Sequence, residues 1–201
     1  MTGDRWLVAG LGNPGPSYAG NRHNAGYLTA DVLAARAGVR FRAGKFRAAT
    51  AEGRVAGFGV IIVKPLTFMN DSGISVAGVS GYHRLDPEHI VAVHDELDLP
   101  FGAIRLKRGG GDNGHNGLRS VTAHLGTREY SRVRIGIGLP PGRMDPAAYV
   151  LRDFSAAERK ELPFLLDRAV DAVEALLADG LAAAQRRFHG SGLAETGGPG
   201  P

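Results

Sequence analysis

The chain of 201 residues contains no cysteine. That excludes a disulfide framework, thiolate-bound zinc or iron–sulfur centres and a cysteine nucleophile, and it fits a reducing compartment. Long apolar runs are missing too. The longest, residues 58–63, is far too short to cross a bilayer, so no membrane is expected as a partner. Residues 1–6 lack the basic-then-apolar pattern of an export signal, and a cytoplasmic address is expected. No serine stands in a G-x-S-x-G elbow: residues 73–77 lack the closing glycine and fall inside an expected helix. His23, His94 and His115 share no H-x-x-x-H or H-E-x-x-H spacing, so neither a metal nor another cofactor is expected. With no internal repeat and no polar linker, residues 1–189 read as one domain, and the glycine- and proline-rich residues 190–201 as a disordered tail.

Charge is present, and unevenly placed. Residues 1–150 hold eighteen basic against twelve acidic side chains, whereas residues 151–201 hold six against eight. Within the first part, residues 101–143 carry eight basic groups and only Asp112 and Glu129 in opposition. Such a run is either a solvated face or the electrostatic footprint of a nucleic acid.

Periodicity predicts a buried strand over residues 5–9, a glycine-rich loop, and a helix over residues 24–37 that stops at Gly38. Extended runs at 45–51 and 58–64 flank a glycine-containing turn suited to a hairpin. A helix from Asp71 or Ser72 to Tyr82 and an apolar strand over 90–94 follow. Then come a strand at 103–107, the glycine loop 109–117, a helix at 118–125 and a strand at 133–138. Ser155 with Glu158 three residues on forms a capping box for a helix to Ala178 that passes through Pro163; residues 181–188 add a short helix. The alternation predicts an α/β fold, a single globular domain with a twisted mixed sheet flanked by helices.

Four segments can carry chemistry. Gly10-Leu11-Gly12-Asn13-Pro14-Gly15 matches the dinucleotide fingerprint in form, but the prolines lengthen the loop, and the nearest acid, Asp31, falls inside the next helix. Asn13 instead offers an amide at the end of a buried strand. His23 enters a helix, a position expected to lower its pKa and keep it neutral as a general base. Asp95, at the end of an apolar strand, lies where α/β sheets place functional groups and could orient His23. The glycine-dense run 109–117, behind Arg105, Lys107 and Arg108, permits close backbone approach, with Asn116 offering another amide.

Together these pieces resemble the bacterial peptidyl-tRNA hydrolase family from Leu7 to about His189. The resemblance is carried by the Gly10–Gly15 segment with Tyr18, Arg22-His23-Asn24-Ala25-Gly26, Lys64-Pro65 with Phe68-Met69-Asn70-Asp71-Ser72-Gly73, and His94-Asp95-Glu96-Leu97-Asp98-Leu99. Two further segments join them, Gly114-His115-Asn116-Gly117-Leu118-Arg119 and Arg132-Val133-Arg134-Ile135-Gly136-Ile137-Gly138. It implies hydrolysis of the ester joining a peptide to the 3′-terminal ribose of tRNA, with peptidyl-tRNA held by its acceptor arm and 3′ end and the protein acting as a monomer. By the same resemblance His23 accepts the proton of water, Asp95 keeps it basic, and Asn13 helps distinguish blocked from unblocked aminoacyl groups. Tyr18, Phe68, Asn70 and Asn116 match substrate-binding positions, Met69 packs against the site, and Lys107 and Arg134 match residues that hold phosphate. Asp98 and His115 resemble a gate, and residues 140–150 a mobile lid. Three positions depart from the family pattern: Asn21 for threonine, Phe101 for proline, and Asp112-Asn113 with a bulkier residue at a usual glycine. Two other readings remain beside it, a non-catalytic RNA-binding relative and a dinucleotide-dependent oxidoreductase.

Overall fold

The structure, a computed structural model, describes residues 5–190. Apart from Gly190, the expected tail lies outside the described residues. In chain order the elements are β1 (Arg5–Gly10), α1 (Ala25–Arg36), β2 (Arg42–Ala43), β3 (Ala48–Val55), β4 (Phe58–Pro65) and α2 (Ser72–Tyr82). There follow β5 (Ile90–Glu96), β6 (Ile104–Arg108), α3 (Asn116–Leu125), β7 (Ser131–Gly136), α4 (Pro146–Val150), α5 (Ala156–Asp179) and α6 (Leu181–His189).

The strands form one sheet in the order β2-β3-β4-β1-β5-β7-β6. The four central strands β4, β1, β5 and β7 are mutually parallel, and antiparallel pairings add β3 with β2 on one side and β6 on the other. The expected mixed sheet flanked by helices is what is found. Side chains alternate between two cores, as a pleated strand requires. Val8, Ile62, Val91 and Val133 face one core with α1, α5 and α6, while Leu7, Ile61, Ile90 and Ala92 face the other with α2 and α3. The chain leaves β1 toward β4 on one side and later returns to β5 on the other. That reversal opens a crevice at the carboxyl ends of β1 and β5, the usual ligand position in such sheets.

Beside the crevice the helix approaches the sheet closely. A Cβ on Gly26, in the first turn of α1, would lie 2.2 Å from the Val93 carbonyl oxygen, and one on Gly10 would lie 2.3 Å from the Gly26 carbonyl oxygen. Glycine at both positions lets α1 sit directly on β1 and β5. Gly10, the first glycine of the fingerprint-like run, therefore serves helix-to-sheet packing.

The hairpin turns at Ala56 and Gly57, both at positive φ (51° and 86°), the conformation a two-residue turn requires. Pro163 lies inside the unbroken α5, whose capping box between Ser155 and Glu158 is present. Other boundaries differ from expectation. The first extended run begins at Ala48 rather than residue 45, α3 begins at Asn116, and β7 spans Ser131–Gly136. The two-residue β2 and the short α4 are additions. α4 has Asp145 as N-cap, accepting from Ala147 N, and Pro146 in its first turn.

The outer strand β6 is covered by α6 through side chains. Leu106 donates its backbone N–H to His189 Nε2 at 2.9 Å, and its carbonyl accepts from Gln185 Nε2 at 3.0 Å. One turn apart on α6, the two side chains answer both outward polar groups of one strand residue. Burial, then the charges of Arg105 and Arg134, push the His189 imidazole below its ordinary pKa, which keeps Nε2 free to accept. A neutral form favoured on folding stabilises above the ordinary imidazole range and loses that contribution as pH falls through it. His189→Leu is expected to lower unfolding free energy by about 1–2 kcal/mol. Urea titration with amide exchange at Leu106 checks this; full protection of Leu106 in the variant would contradict it.

Candidate active site

The loop after β1 is tied back to the sheet at once: Leu11 donates its N–H to the Val93 carbonyl at 3.0 Å, and Tyr27 N bonds the Leu11 carbonyl at 3.2 Å. Asn13 follows, buried, and pairs with Asn24 twice. Its N–H reaches Asn24 Oδ1 at 2.9 Å, and Asn24 Nδ2 reaches its carbonyl at 3.0 Å. Asn13 Oδ1 accepts from the Met69 N–H at 2.7 Å. Its oxygen is so engaged, and Nδ2, with two donor protons, has no hydrogen-bond partner among the described residues. Tyr18 and Phe68 meet edge to face at 6.4 Å, Phe68 standing 58% exposed beside the exposed Asn70. Asn13, Tyr18, Phe68 and Asn70 thus form one flank, joined through Met69.

A short turn, Arg22–Asn24, carries His23 to the start of α1. His23 Nδ1 donates to Asp95 Oδ2 at 2.8 Å, and His115 Nε2 donates to Asp95 Oδ1 at 2.9 Å. The His115 tautomer is fixed from behind, because its Nδ1 accepts from Leu118 N at 3.3 Å as the N-cap of α3. Both oxygens of a carboxylate only 3% exposed are therefore occupied by imidazole N–H groups. His23 Nε2 is left with its lone pair and no partner among the described residues. A cavity of about 270 Å³ opens there, lined by His23, Asp95, Glu96, His115, Asn116 and, from the far side, α4.

Electrostatics follow from this geometry. Burial alone would lower the His23 pKa, but the Asp95 charge and the hydrogen bond to it outweigh burial and leave it raised. The expectation of a lowered pKa from the helix start is thus corrected. Asp95 would be pushed up by burial, yet the two imidazoles hold it well below the usual carboxylate range. His94, fully buried with Nδ1 bonded to the Asp95 carbonyl at 2.7 Å, is driven far down by burial and by the neighbouring His115. His23, Asp95 and His115 present ligand atoms within 4.8 Å of one another, so a cation there would have to displace both hydrogen bonds to Asp95.

The structure does not join His115 to Asp98. Asp98 Oδ2 instead accepts from Asn113 Nδ2 at 2.6 Å. Nor does the basic run form one face. Arg132 is fully buried, its guanidinium over the Tyr130 ring at 4.7 Å and donating to the Gly111 and Gly110 carbonyls at 2.6 and 3.1 Å. It props the glycine loop, where Gly109 and Gly110 both sit at positive φ. Lys107 and Arg134 remain near one another beyond Asp95. Burial, then Arg134 and Arg132, lower the Lys107 pKa, with Glu96 opposing, so this ammonium gains from meeting an anion. Arg134 Nε bonds Glu96 Oε2 at 3.3 Å.

The departures have local explanations. Asn21 donates from Nδ2 to Asp153 Oδ1 at 2.7 Å, Phe101 packs edge-on against Phe154 at 6.2 Å, and Asp112 Oδ1 accepts from Gly114 N at 2.9 Å. The segment expected to be a lid includes α4, which is anchored. Arg22 lies over the Tyr149 ring at 4.2 Å and pairs with Glu158 at 2.9 Å, while Tyr149 Oη donates to the Ile137 carbonyl at 3.1 Å. Sequence reasoning gave no role to Arg22, Asn24 or Glu96, although all three sit inside the motifs it singled out.

Comparison with known proteins decides the family. The family model described as peptidyl-tRNA hydrolase matches residues 7–196. The chain belongs to the peptidyl-tRNA hydrolase family. A peptidyl-tRNA hydrolase of Frankia alni is 62% identical over 184 residues, covering 92% of this chain and 93% of that one. One from Streptomyces coelicolor is 56% identical over 193 residues, covering 93% and 96%. The crystal structure of peptidyl-tRNA hydrolase from Acinetobacter baumannii superposes with a TM-score of 0.85 at 38% identity, covering 91% and 93%. The α/β architecture is therefore shared with an enzyme of this family.

Proposed function

We propose that the chain hydrolyses the ester between the peptide or N-blocked aminoacyl group and the 3′-terminal ribose of peptidyl-tRNA. The observation that carries this reading is the open Nε2 of His23, facing a cavity while Nδ1 is held by a carboxylate that is itself fixed by His115. Water on Nε2 attacks the ester carbonyl carbon, and its proton passes to the imidazole. Asp95 stabilises the imidazolium, as a buried carboxylate does for a histidine base. The tetrahedral intermediate then expels the ribose 3′-oxygen, which takes the proton back, leaving free tRNA and the peptide acid. Asn13 Nδ2 supplies a donor for substrate carbonyl oxygen without adding a charge that would compete with the base.

Tyr18, Phe68, Asn70 and Asn116 line the path of the acyl group and terminal nucleotide, and Lys107 and Arg134 hold acceptor-arm phosphate. Asp98 and His115 border the opening, and α4 covers the cavity. One copy of the chain suffices for this reaction, which we place in the cytoplasm. The direct test is tRNA release from N-acetyl-aminoacyl-tRNA against the unblocked aminoacyl-tRNA. Release from the blocked substrate is expected, and none from it would overturn the reading.

Lys107→Ala and Arg134→Ala are each expected to weaken binding of full-length tRNA substrate and reduce the slope of log affinity against log salt by roughly one. A minimal ester lacking the tRNA body should be turned over as by the unaltered protein. Equal impairment on both substrates would place these residues in the chemistry instead.

A further inference from the structure

Glu96 ends β5 one residue beyond Asp95 and takes no part in the proton transfer, yet it is only 5% exposed. Its Oε2 accepts from Arg134 Nε at 3.3 Å; its Oε1 accepts from Asn113 Nδ2 at 2.6 Å and from the Asp98 N–H at 3.4 Å. Asn113 Nδ2 also donates to Asp98 Oδ2 at 2.6 Å. One amide nitrogen thus stands between two carboxylates with both protons engaged. Placing it there requires φ of 48° at Asn113, a backbone that asparagine tolerates better than most residues.

A carboxylate free to turn beside an arginine pairs with it through two parallel N–H···O bonds, covering the fork of donors that a phosphate needs. In this site that arrangement is blocked. Asn113 occupies one oxygen of Glu96, and the other meets Arg134 only at Nε. The terminal nitrogens of Arg134 carry no hydrogen bond among the described residues.

We propose that Asn113 is a positioning residue for RNA binding: by dividing Glu96 between itself and Arg134, it keeps the outer nitrogens of that guanidinium available to a phosphate. The inference rests on the reading of Arg134 as a phosphate ligand. It accounts for a polar side chain in a strained position on an otherwise glycine-rich loop.

The test uses the full chain carrying Asn113→Gly, alone and with Glu96→Gln. Glycine accepts the positive φ, so the fold is expected to persist, which thermal unfolding verifies. Asn113→Asp, which also tolerates that backbone but repels both carboxylates, serves as a second variant. With N-acetyl-aminoacyl-tRNA, either single variant is expected to raise KM about fivefold or more, with kcat within about twofold. A minimal N-acetyl-aminoacyl-adenosine ester should show no change in KM. Adding Glu96→Gln to Asn113→Gly should recover most of the lost KM, because a neutral amide cannot close over the guanidinium as a carboxylate does. Unchanged KM in both single variants, equal loss on both substrates, or no recovery in the double variant would overturn the proposal. Affinity for uncharged tRNA gives the same comparison without turnover. Failure of the unaltered protein to hydrolyse either ester would sink the hydrolase reading, while the affinity comparison would still decide the role of Asn113.

Discussion

His23→Ala is expected to lower kcat on N-acetyl-aminoacyl-tRNA at least about a hundredfold, the scale of general-base catalysis, while the protein stays folded and binds tRNA as before. The three parts of that expectation have separate causes. Rate falls because Nε2 is the open imidazole nitrogen facing the cavity with its partner nitrogen held by Asp95. Folding survives because Asp95 keeps the His115 hydrogen bond at 2.9 Å, so one bond is lost and the carboxylate is not left alone. Binding survives because Lys107 on β6 and Arg134 on β7 do not touch the imidazole. Turnover equal to that of the unaltered protein would sink the assignment of the base. In the unaltered protein, the raised His23 pKa sets the acid limb of the rate profile. Below it the imidazole is protonated and inactive, so kcat/KM should climb with pH through a value above the ordinary 6.5.

Asp95→Asn is expected to be nearly as damaging, a loss of about a hundredfold to ten-thousandfold, although the shape barely changes. The reason is the count of donors. His115 Nδ1 is committed to accepting from Leu118 N, so its Nε2 must donate, and it claims the single amide oxygen. The amide NH₂ then faces His23 Nδ1, which must become the acceptor, and the proton moves to Nε2. A base whose open nitrogen is protonated cannot take a proton from water. Removing the charge also removes what outweighed burial, so the acid limb should move to lower pH as the plateau falls. His115→Ala in that background frees the amide to turn its oxygen toward His23 and should restore part of the rate. A pH profile unaltered by Asp95→Asn would refute the coupling.

Much of this was legible in the sequence because it depends on local pattern. The apolar runs of β1 and β4, the turn between β3 and β4, and the Ser155–Glu158 capping box each follow from residues within a few positions of one another. So did the choice of family, since its motifs are short strings. What was not legible depends on long-range contact. β2 exists only because Arg42 and Ala43 find Thr50 and Ala49 across the sheet. α3 starts earlier than periodicity suggests because His115, not a usual capping residue, accepts from Leu118 N. The bond of the same histidine to Asp95 spans 20 positions, and Arg132 was counted with the basic run but lies beneath the glycine loop. The His23 shift had a similar cause: a carboxylate 72 positions away decides it against both burial and the helix start.

The contact between α6 and Leu106 bears on self-association as well as on folding. An outermost strand with unanswered backbone groups invites another chain to add to the sheet, the route to aggregation and strand exchange. In this sheet one border, β2, is only two residues long, and the other has a strand residue already answered by Gln185 and His189. A helix standing where a further strand would lie leaves a newcomer less to pair with. The β6 border is thus discouraged as a template by occupation, whereas β2 covers only Ala49 and Thr50 of the longer β3 behind it.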